Sequence, residues 1–243
     1  MSDTLNIFFN SFPLKYCSSQ IDIFSGFFEK FPISRPKKKA GFDYDFFNAV
    51  EPKIAIDKHN FSINPPQINI FEGMNLGHNE VRHCSVLAWF MNPRGNHCQG
   101  SLFVQVFFKY YKLDNLLDLI ADGSFSVTTE DIYSDNGRVD INIFGKNFWI
   151  IVEAKINADE QDSQIARYNE IINSNHTIYN IKKENCMIVF LTLSGYKPKS
   201  GDATLCISWS DINRILVDFA RECKSDYVAN IANQYAEFIK NNL

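Results

Sequence analysis

Three residues in the segment GRVDINIFGKNFWIIVEAKI (137–156) have side chains suited to chemistry on a phosphate: Asp140, Glu153 and Lys155. Two carboxylates held close together repel each other unless a cation lies between them. Mg²⁺ prefers such hard oxygen ligands, and a neighbouring lysine could offset phosphate charge or assist an attacking hydroxide. The pattern therefore predicts a metal site. The alternative is a solvent-facing strand surface that carries ordinary charges.

The register of the hairpin decides whether these side chains meet. If residues 146–147 form a two-residue loop, Asp140 lies directly opposite Glu153. A loop at 145–146 would keep both acids on one face, whereas a simple three-residue loop would separate them. The two-residue loop is favoured because it leaves the second face fully apolar. The remaining pairs would then be Arg138 with Lys155 and, on the other face, Val139 with Ala154, Ile141 with Val152 and Ile143 with Ile150.

Glu-x-Lys alone is a weak signal, because the chain contains it three times. The copy at 51–53 has Pro52 inside it, which would remove a hydrogen-bond donor from a central strand. The copy at 222–224 lies in a helical pattern, where residues i and i+2 do not share a face. Only the copy at 153–155 ends an apolar strand and follows another strand with an acid at the matching position.

The segments around this hairpin predict a mixed α/β domain. Their order is helices, three strands, a helix, two strands and two helices, which indicates an antiparallel start and a crossover helix. Asn79 is the predicted N-cap of the first clear helix and Asp159 that of the crossover helix. The aromatic-rich residues 1–76 are expected to form an N-terminal extension packed on a domain at 77–243. Predicted helices are 78–93, 101–113, 158–174, 211–224 and 225–242, and predicted strands are 124–133, 138–144, 148–156, 186–194 and 204–210.

The composition is that of a globular chain, with 45% hydrophobic and 21% charged residues. We expect neither a membrane helix nor a signal peptide, and hence a cytoplasmic location, because no long apolar run and no basic, then apolar, N-terminus occur. The six cysteines form no C-x-x-C pair and are expected to be reduced. The net charge of −4 neither predicts nor excludes nucleic-acid binding, since charge on one face decides it.

Asp140, followed by Glu153-Ala-Lys155 and a helix containing QIARY, resembles the PD-(D/E)XK nuclease superfamily. The segment EVRHCSVLAWFMNPRGNHCQGSLF (80–103) resembles the N-terminal helices of one bacterial branch, whose pattern is E-x-x-H-S-x-x-L-A-W-L-L-x-P. Cys84 replaces the usual serine of that pattern, and Val139 stands where the motif name has proline. The resemblance covers roughly residues 68–195. It implies a restriction-endonuclease-like core, with a helix, a three-stranded antiparallel start, a crossover helix and further strands, and with extra N- and C-terminal helices.

The resemblance implies a metal centre built from four residues of the hairpin. Asp140 and Glu153 would hold Mg²⁺ or Mn²⁺, with the carbonyl of Ala154 as a third ligand. Lys155 would be the catalytic lysine. The metal would help to activate water for attack on a phosphodiester.

Further residues match the superfamily outside the hairpin. Glu80 would join the metal shell, although an acid also favours a helix N-terminus for structural reasons. Gln164 and Tyr168, spaced i and i+4, share a helix face and would point into the cleft; their alternative role is that of polar residues at the edge of the core. His83 is expected to make a hydrogen bond that holds the fold, and its alternative role is contact with the metal or with a phosphate. Phosphate contacts are assigned to Arg82, Arg94, Arg138 and Arg167.

The implied activity is that of a Mg²⁺-dependent phosphodiesterase. DNA is the expected substrate, cut by an endonuclease, and RNA is the alternative. The bacterial branch suggests a setting such as defence against foreign DNA, and a homodimer is an option because members often pair to cut two strands. Two other readings stay open: a nuclease-like module that binds nucleic acid or protein without catalysis, and a hydrolase of another phosphate ester.

Overall fold

The computed structural model of the chain describes residues 68–132, 137–158 and 160–243. The predicted extension at 1–76 lies almost entirely outside these ranges, so its boundary stays a prediction. Within them the helices are α1 (Ile70–Gly73), α2 (Glu80–Met91), α3 (Leu102–Tyr110), α4 (Asp114–Ile120), α5 (Gln164–Asn175), α6 (Trp209–Glu222) and α7 (Asp226–Asn242). The strands are β1 (Phe125–Ile132), β2 (Arg138–Gly145), β3 (Trp149–Ala154), β4 (Cys186–Thr192) and β5 (Leu205–Ser208).

The five strands form one sheet in the order β1-β2-β3-β4-β5. The first three strands are antiparallel neighbours, whereas β4 runs parallel to β3 and β5 runs parallel to β4. Helix α5 makes the crossover from β3 to β4, as parallel neighbours require. Every residue of β3 and β4 is buried, which explains their continuous apolar runs. The predicted mixed α/β architecture is confirmed.

The hairpin between β2 and β3 has the predicted register. Ile141 pairs with Val152, and Ile143 pairs with Ile150. The Gly145 N–H donates to the Phe148 carbonyl at 3.0 Å, which closes a two-residue loop. Glu153, between Val152 and Ala154 of the other face, therefore lies on the face that the sequence assigned to it.

The two faces of the sheet are covered by different helices. One core cluster joins residues of α2, α3, α4, α6 and α7 to the sheet residues Ile141, Ile143, Ile150, Val152 and Ala154. A smaller cluster lies under α5 and includes Trp149, Ile151 and Phe190. Sheet residues thus alternate between a large helical layer and a single crossover helix.

Val139 departs from the predicted alternation, because it packs in the α5 cluster instead of pairing with Ala154 on the other face. The β2–β3 ladder ends at Ile141 and Val152, so no strand pairing holds Val139 opposite Ala154. Glu130 on β1 also has a left-handed backbone, with φ +61°. A non-glycine residue in that region distorts a strand locally, and Val139 turns to the other face.

Several element boundaries differ from the prediction. The helix predicted at 101–113 ends at Tyr110, and a separate short helix, α4, follows it. The crossover helix begins at Gln164 and not near Asp159, a residue outside the described ranges, because Ser163 has φ +57° and interrupts the helical path. Helix α6 begins at Trp209, directly after β5.

The described cysteines, Cys84, Cys98, Cys186, Cys206 and Cys223, are all unpaired, in agreement with the expectation. Cys17 lies outside the described residues. In the described ranges, no helix combines the length and the apolar character that crossing a bilayer requires.

The start of α6 offers a test of the fold. The Ser208 side chain accepts the Asp211 N–H at 3.1 Å, and the Asp211 carboxylate accepts the Ser208 N–H at 2.9 Å, a reciprocal capping box. We expect Ser208→Ala to lower the free energy of unfolding by about 1 kcal/mol, measured by urea denaturation. The matched control is Ser210→Ala on the exposed side of the same turn, which should change stability little. Equal effects from both substitutions would contradict the capping role.

Candidate active site

The candidate site lies where β3 ends. Glu153 is the penultimate residue of the strand and is 0% exposed, and Lys155 follows the strand with 5% exposure. The Lys155 N–H donates to the Leu191 carbonyl at 2.7 Å, so β4 holds the backbone just beyond the strand end. Two charged residues are therefore fixed inside the protein at a well-defined point of the sheet.

Both oxygens of the Glu153 carboxylate have partners. Oε1 lies 2.5 Å from Lys155 Nζ and accepts Gln164 Nε2 at 2.6 Å. Oε2 lies 2.6 Å from the Tyr168 hydroxyl. Gln164 and Tyr168 reach the acid from one face of α5, as their i, i+4 spacing predicts. The structure thus brings these predicted residues together.

The Tyr168 hydroxyl lies within hydrogen-bond distance of two acceptors, since the Arg138 carbonyl is 2.7 Å away. A hydroxyl carries one hydrogen and can donate it to only one of them at a time. When Glu153 is protonated, it can donate to Tyr168 while Tyr168 donates to Arg138. Protonation of Glu153 therefore leaves both the Tyr168 hydroxyl and the Arg138 carbonyl with a hydrogen-bond donor.

Asp140 reaches the same place through its side chain. Its Oδ2 accepts the backbone N–H of Ala154 at 2.9 Å, just beyond the point where the β2–β3 ladder ends. The carboxylate therefore replaces the main-chain partner that a continued ladder would give Ala154. This corrects the expectation of a simple strand pair between Asp140 and Glu153, while keeping both acids at one site.

Glu80 completes the group from the first turn of α2, which Asn79 caps by accepting the Arg82 N–H. Glu80 Oε2 accepts the Ile156 N–H at 2.9 Å, and Oε1 lies 3.8 Å from Lys155 Nζ. The Lys155 ammonium is thus within ion-pair distance of both Glu153 and Glu80. The sequence assigned Glu80 to this site although it precedes Glu153 by 73 positions, and its side chain lies there.

Burial controls the electrostatics of this group. It raises the pKa of Glu153 to about 7, with the charge of Asp140 adding to the effect and Lys155 opposing it. Burial likewise raises the pKa of Asp140. Burial alone would lower the pKa of Lys155, but its ion pairs with Glu153 and Glu80 outweigh burial and raise it. The lysine is therefore the charged partner of a carboxyl group that titrates near neutral pH.

The donor set fits Mg²⁺ or Mn²⁺ in its chemistry, because Asp140, Glu153 and Glu80 offer hard carboxylate oxygens. Within the described ranges, however, no three His, Cys, Asp or Glu side chains are gathered as a ready cluster of metal ligands. The Lys155 ammonium supplies the positive charge there instead. A divalent ion would have to share the carboxylates with that ammonium or displace it.

The four predicted phosphate-binding arginines are not equally placed. Arg138 forms an ion pair with Glu130, and the Arg167 guanidinium contacts the Asp162 carbonyl and lies close to Gly137. Arg138 and Arg167 therefore lie on the two elements that hold Glu153 in place, β2 and α5.

Arg82 and Arg94 bind main-chain carbonyls outside β2 and α5. Arg82 donates to the Asn75 carbonyl at 3.3 Å, and Arg94 donates to the Phe125 carbonyl at 3.1 Å. Phe125 pairs with Gly145, five residues along β2 from Asp140. That separation is about 17 Å at strand spacing, so Arg94 is not brought to the carboxylates.

His83 has the predicted structural role. Its Nε2 lies 3.0 Å from the Gly77 carbonyl and must donate to it, so Nδ1 accepts from the Tyr235 hydroxyl at 2.8 Å. The ring is fully buried among aromatic side chains of α6 and α7. Burial lowers the pKa of His83, so the ring is neutral in the folded protein. It ties α2, and with it Glu80, to the last helix.

The sequence interpretation missed Glu130, whose charge raises the pKa of Asp140, in addition to the larger effects of burial and of Glu80. The β1–β2 register places Glu130 across from Asp140, between the pairs Thr129–Ile141 and Asp131–Val139. Extending the hairpin register to β1 could have found it. The interpretation also missed that the main-chain N–H of Ile156 binds Glu80, a contact with no signal in the local pattern.

Comparison with known proteins identifies the family through one match. The model of the PD-(D/E)XK nuclease superfamily matches residues 68–241. This span contains all of the described helices and strands except the last residue of α7. No curated protein and no solved structure matches the chain.

The neutral His83 generates a test of how stability depends on pH. A lowered pKa in the folded state means that this contribution is present above the unfolded pKa of about 6.5 and is lost as the pH falls below it. We expect the difference in unfolding free energy between the wild type and His83→Gln to shrink from pH 7.5 to pH 5. The change should be about 1.4 kcal/mol for each pH unit between the two pKa values.

Urea denaturation at each pH measures this difference, and the other titrating groups cancel because both proteins contain them. A difference that stays constant or grows as the pH falls would contradict a neutral, buried His83.

Proposed function

The chain belongs to the PD-(D/E)XK nuclease superfamily, and from that premise we propose that it is a Mg²⁺- or Mn²⁺-dependent phosphodiesterase that cleaves nucleic acid. DNA is the proposed substrate and endonucleolytic cleavage the proposed reaction. The observation that carries the proposal is the buried Glu153 carboxylate at the end of β3, with Asp140, Glu80 and Lys155 around it. Three carboxylates and a lysine at one strand end have the composition that metal-dependent phosphodiester chemistry needs.

The proposed metal ligands are the carboxylates of Asp140, Glu153 and Glu80 together with the Ala154 carbonyl. When bound, the ion would supply Lewis-acid stabilisation of phosphate charge and a lowered pKa of water. The rest of the work belongs to the chain's own side chains.

Lys155 is proposed to stabilise negative charge on the phosphate or on the attacking oxygen, because its ammonium already lies among the carboxylates. Gln164 and Tyr168 hold Glu153 in one orientation through hydrogen bonds to its two oxygens. Arg138 on β2 and Arg167 on α5 are close in sequence to Asp140 and Tyr168, and they are proposed to contact the phosphates of the substrate.

Further aspects of the proposal rest on the resemblance. RNA is the alternative substrate, and pairing of two copies would allow both strands of a duplex to be cut. A cytoplasmic role in defence against foreign DNA is proposed by analogy with the bacterial branch.

A second candidate function is supported by one observation. The Glu153 carboxylate is compensated by groups of the chain itself, namely Lys155, Gln164 and Tyr168. Such a group is stable without catalysis, so a nuclease-like module that only binds nucleic acid or protein is the competing proposal.

The decisive experiment compares Glu153→Gln and Lys155→Ala with the wild type on plasmid DNA, single-stranded DNA and RNA, with Mg²⁺, Mn²⁺ or EDTA. We expect metal-dependent cleavage by the wild type and a loss of at least about 100-fold in both variants, since charged groups at the reacting phosphate have effects of that size. The chain offers a matched control in its other described Glu-x-Lys copy. Glu222→Gln and Lys224→Ala change exposed residues of the same types and should leave cleavage unchanged.

The binding module predicts a different result. The wild type would then cut none of the substrates while binding nucleic acid with an affinity that falls steeply with salt. Metal-dependent cleavage retained in Glu153→Gln would place the chemistry elsewhere and contradict the proposed site.

The placement of the arginines predicts how binding responds to salt. Log affinity falls as log salt concentration rises, and each lost phosphate contact should make that fall less steep by about one unit of slope. We expect this change for Arg138→Gln and Arg167→Gln, and little change for Arg94→Gln. The Arg94 guanidinium is bound to the carbonyl of Phe125 on β1, which pairs with the last residue of β2. Fluorescence anisotropy with labelled DNA at several salt concentrations measures the slopes. Arg221→Gln, an exposed residue that pairs with Asp218, is the control.

A further inference from the structure

The loop between β3 and α5 is anchored through the carboxylate of Glu160. Oε2 accepts the Lys199 N–H at 2.5 Å, and Oε1 accepts the Ser200 N–H at 3.1 Å and the Ser200 hydroxyl. Lys199 and Ser200 belong to the connection between β4 and β5. A single acid thus joins the two loops that leave the carboxyl ends of β3 and β4.

The same serine reaches the first turn of α5. Ser200 Oγ accepts the Ile165 N–H at 3.0 Å while its own hydrogen goes to Glu160. The residue at the N-cap position, Ser163, has a left-handed backbone and makes no side-chain capping bond. Ser200 therefore satisfies a free N–H of the first turn that a local N-cap would normally satisfy.

Two more contacts press the same loop against α5. Asn169 Nδ2 donates to the Asp202 carbonyl at 3.0 Å. Gly201 lies so close to the helix that a Cβ atom built on it would be 3.1 Å from the Ala166 nitrogen and 3.3 Å from its Cα. The contacts run from Ile165 to Asn169, from the first turn of α5 into the second, so the loop constrains the position of the helix and not only its end.

The hydrogen bonds that Glu160 receives keep it charged. Burial would raise its pKa, but the bonds from Ser200 and Lys199 outweigh burial and lower it. A carboxylate is also favoured beside a helix N-terminus, where the backbone carries partial positive charge.

The constrained part of α5 carries the residues that orient Glu153. Gln164 immediately precedes Ile165, and its Nε2 donates to Glu153 at 2.6 Å; Tyr168 follows one turn later. A side-chain hydrogen bond is lost once its partners are about 3.6 Å apart or badly misaligned. A small displacement of α5 would therefore release Glu153.

We propose that Glu160 and Ser200 form a clasp that sets the position of α5, so that Gln164 and Tyr168 hold Glu153 in the orientation needed for cleavage. Both are positioning residues, since they act through α5. The inference rests on the proposed nuclease function and adds to it residues that lie outside the Asp, Glu and Lys motif.

The test uses Glu160→Gln, Ser200→Ala and Gly201→Ala in the full-length protein, with cleavage of DNA measured under Mg²⁺ saturation. We expect kcat to fall about 10- to 100-fold, the range produced by misplacing a catalytic group by an ångström, while KM for DNA changes less than about twofold. Ser200→Thr keeps the hydroxyl and should restore most of kcat. Gly201→Ala removes no side-chain hydrogen bond, so a fall in kcat in that variant reports the displacement of α5 alone. The controls are Glu170→Gln and Ser174→Ala, exposed changes of the same types on α5.

Amide hydrogen exchange tests the clasp independently of activity. We expect faster exchange at Ile165 and its neighbours in the first turn of α5 in Ser200→Ala and Glu160→Gln, with β3 and β4 unchanged.

Unchanged exchange, faster exchange with normal kcat, or a rise in KM equal to the fall in kcat would each overturn the positioning role. An inactive wild type would overturn the proposed function and the catalytic part of this inference, while exchange would still show whether the clasp holds α5.

Discussion

The burial of the Glu153 carboxylate is the constraint on which the rest of the site depends. A carboxylate removed from water is destabilising unless other groups replace its hydration. Here an ammonium, an amide and a phenol do so, from Lys155, Gln164 and Tyr168. These three groups come from the end of β3 and from α5, so the requirements of one acid dictate how the crossover helix must lie on the sheet.

The site is also a place where the sheet stops being regular. Backbone N–H groups in a protein interior need acceptors, and at Ala154 and Ile156 those acceptors are the side chains of Asp140 and Glu80. Where the β2–β3 ladder has ended, these main-chain N–H groups lack strand partners. They bind Asp140 and Glu80, two acids that are distant in sequence. The loss of strand pairing and the assembly of the carboxylates therefore depend on each other, because the unpaired N–H groups are bound by those carboxylates.

The sequence predicted what periodicity and facing rules control. The two-faced pattern of the hairpin gave its register, and the capping signal at Asn79 gave the start of the helix that carries Glu80. It did not predict the turn of Val139 to the other face or the late start of α5, because these follow from the backbone conformations of Glu130 and Ser163. The contact between Glu160 and Ser200 was not predicted from the sequence either. Their contact joins residues 40 positions apart, and nothing local marks either one.

The bond between His83 and Tyr235 has a consequence for how fast the domain can fold. It joins residues 152 positions apart, and the bond from Asn69 to the Gln234 carbonyl joins residues 165 positions apart. Contacts between residues so distant in sequence are slow to form, because the intervening loop must be closed before the contact stabilises it. The helix that carries Glu80 is therefore held by contacts of the kind that limit the folding rate, although its N-terminal cap is entirely local.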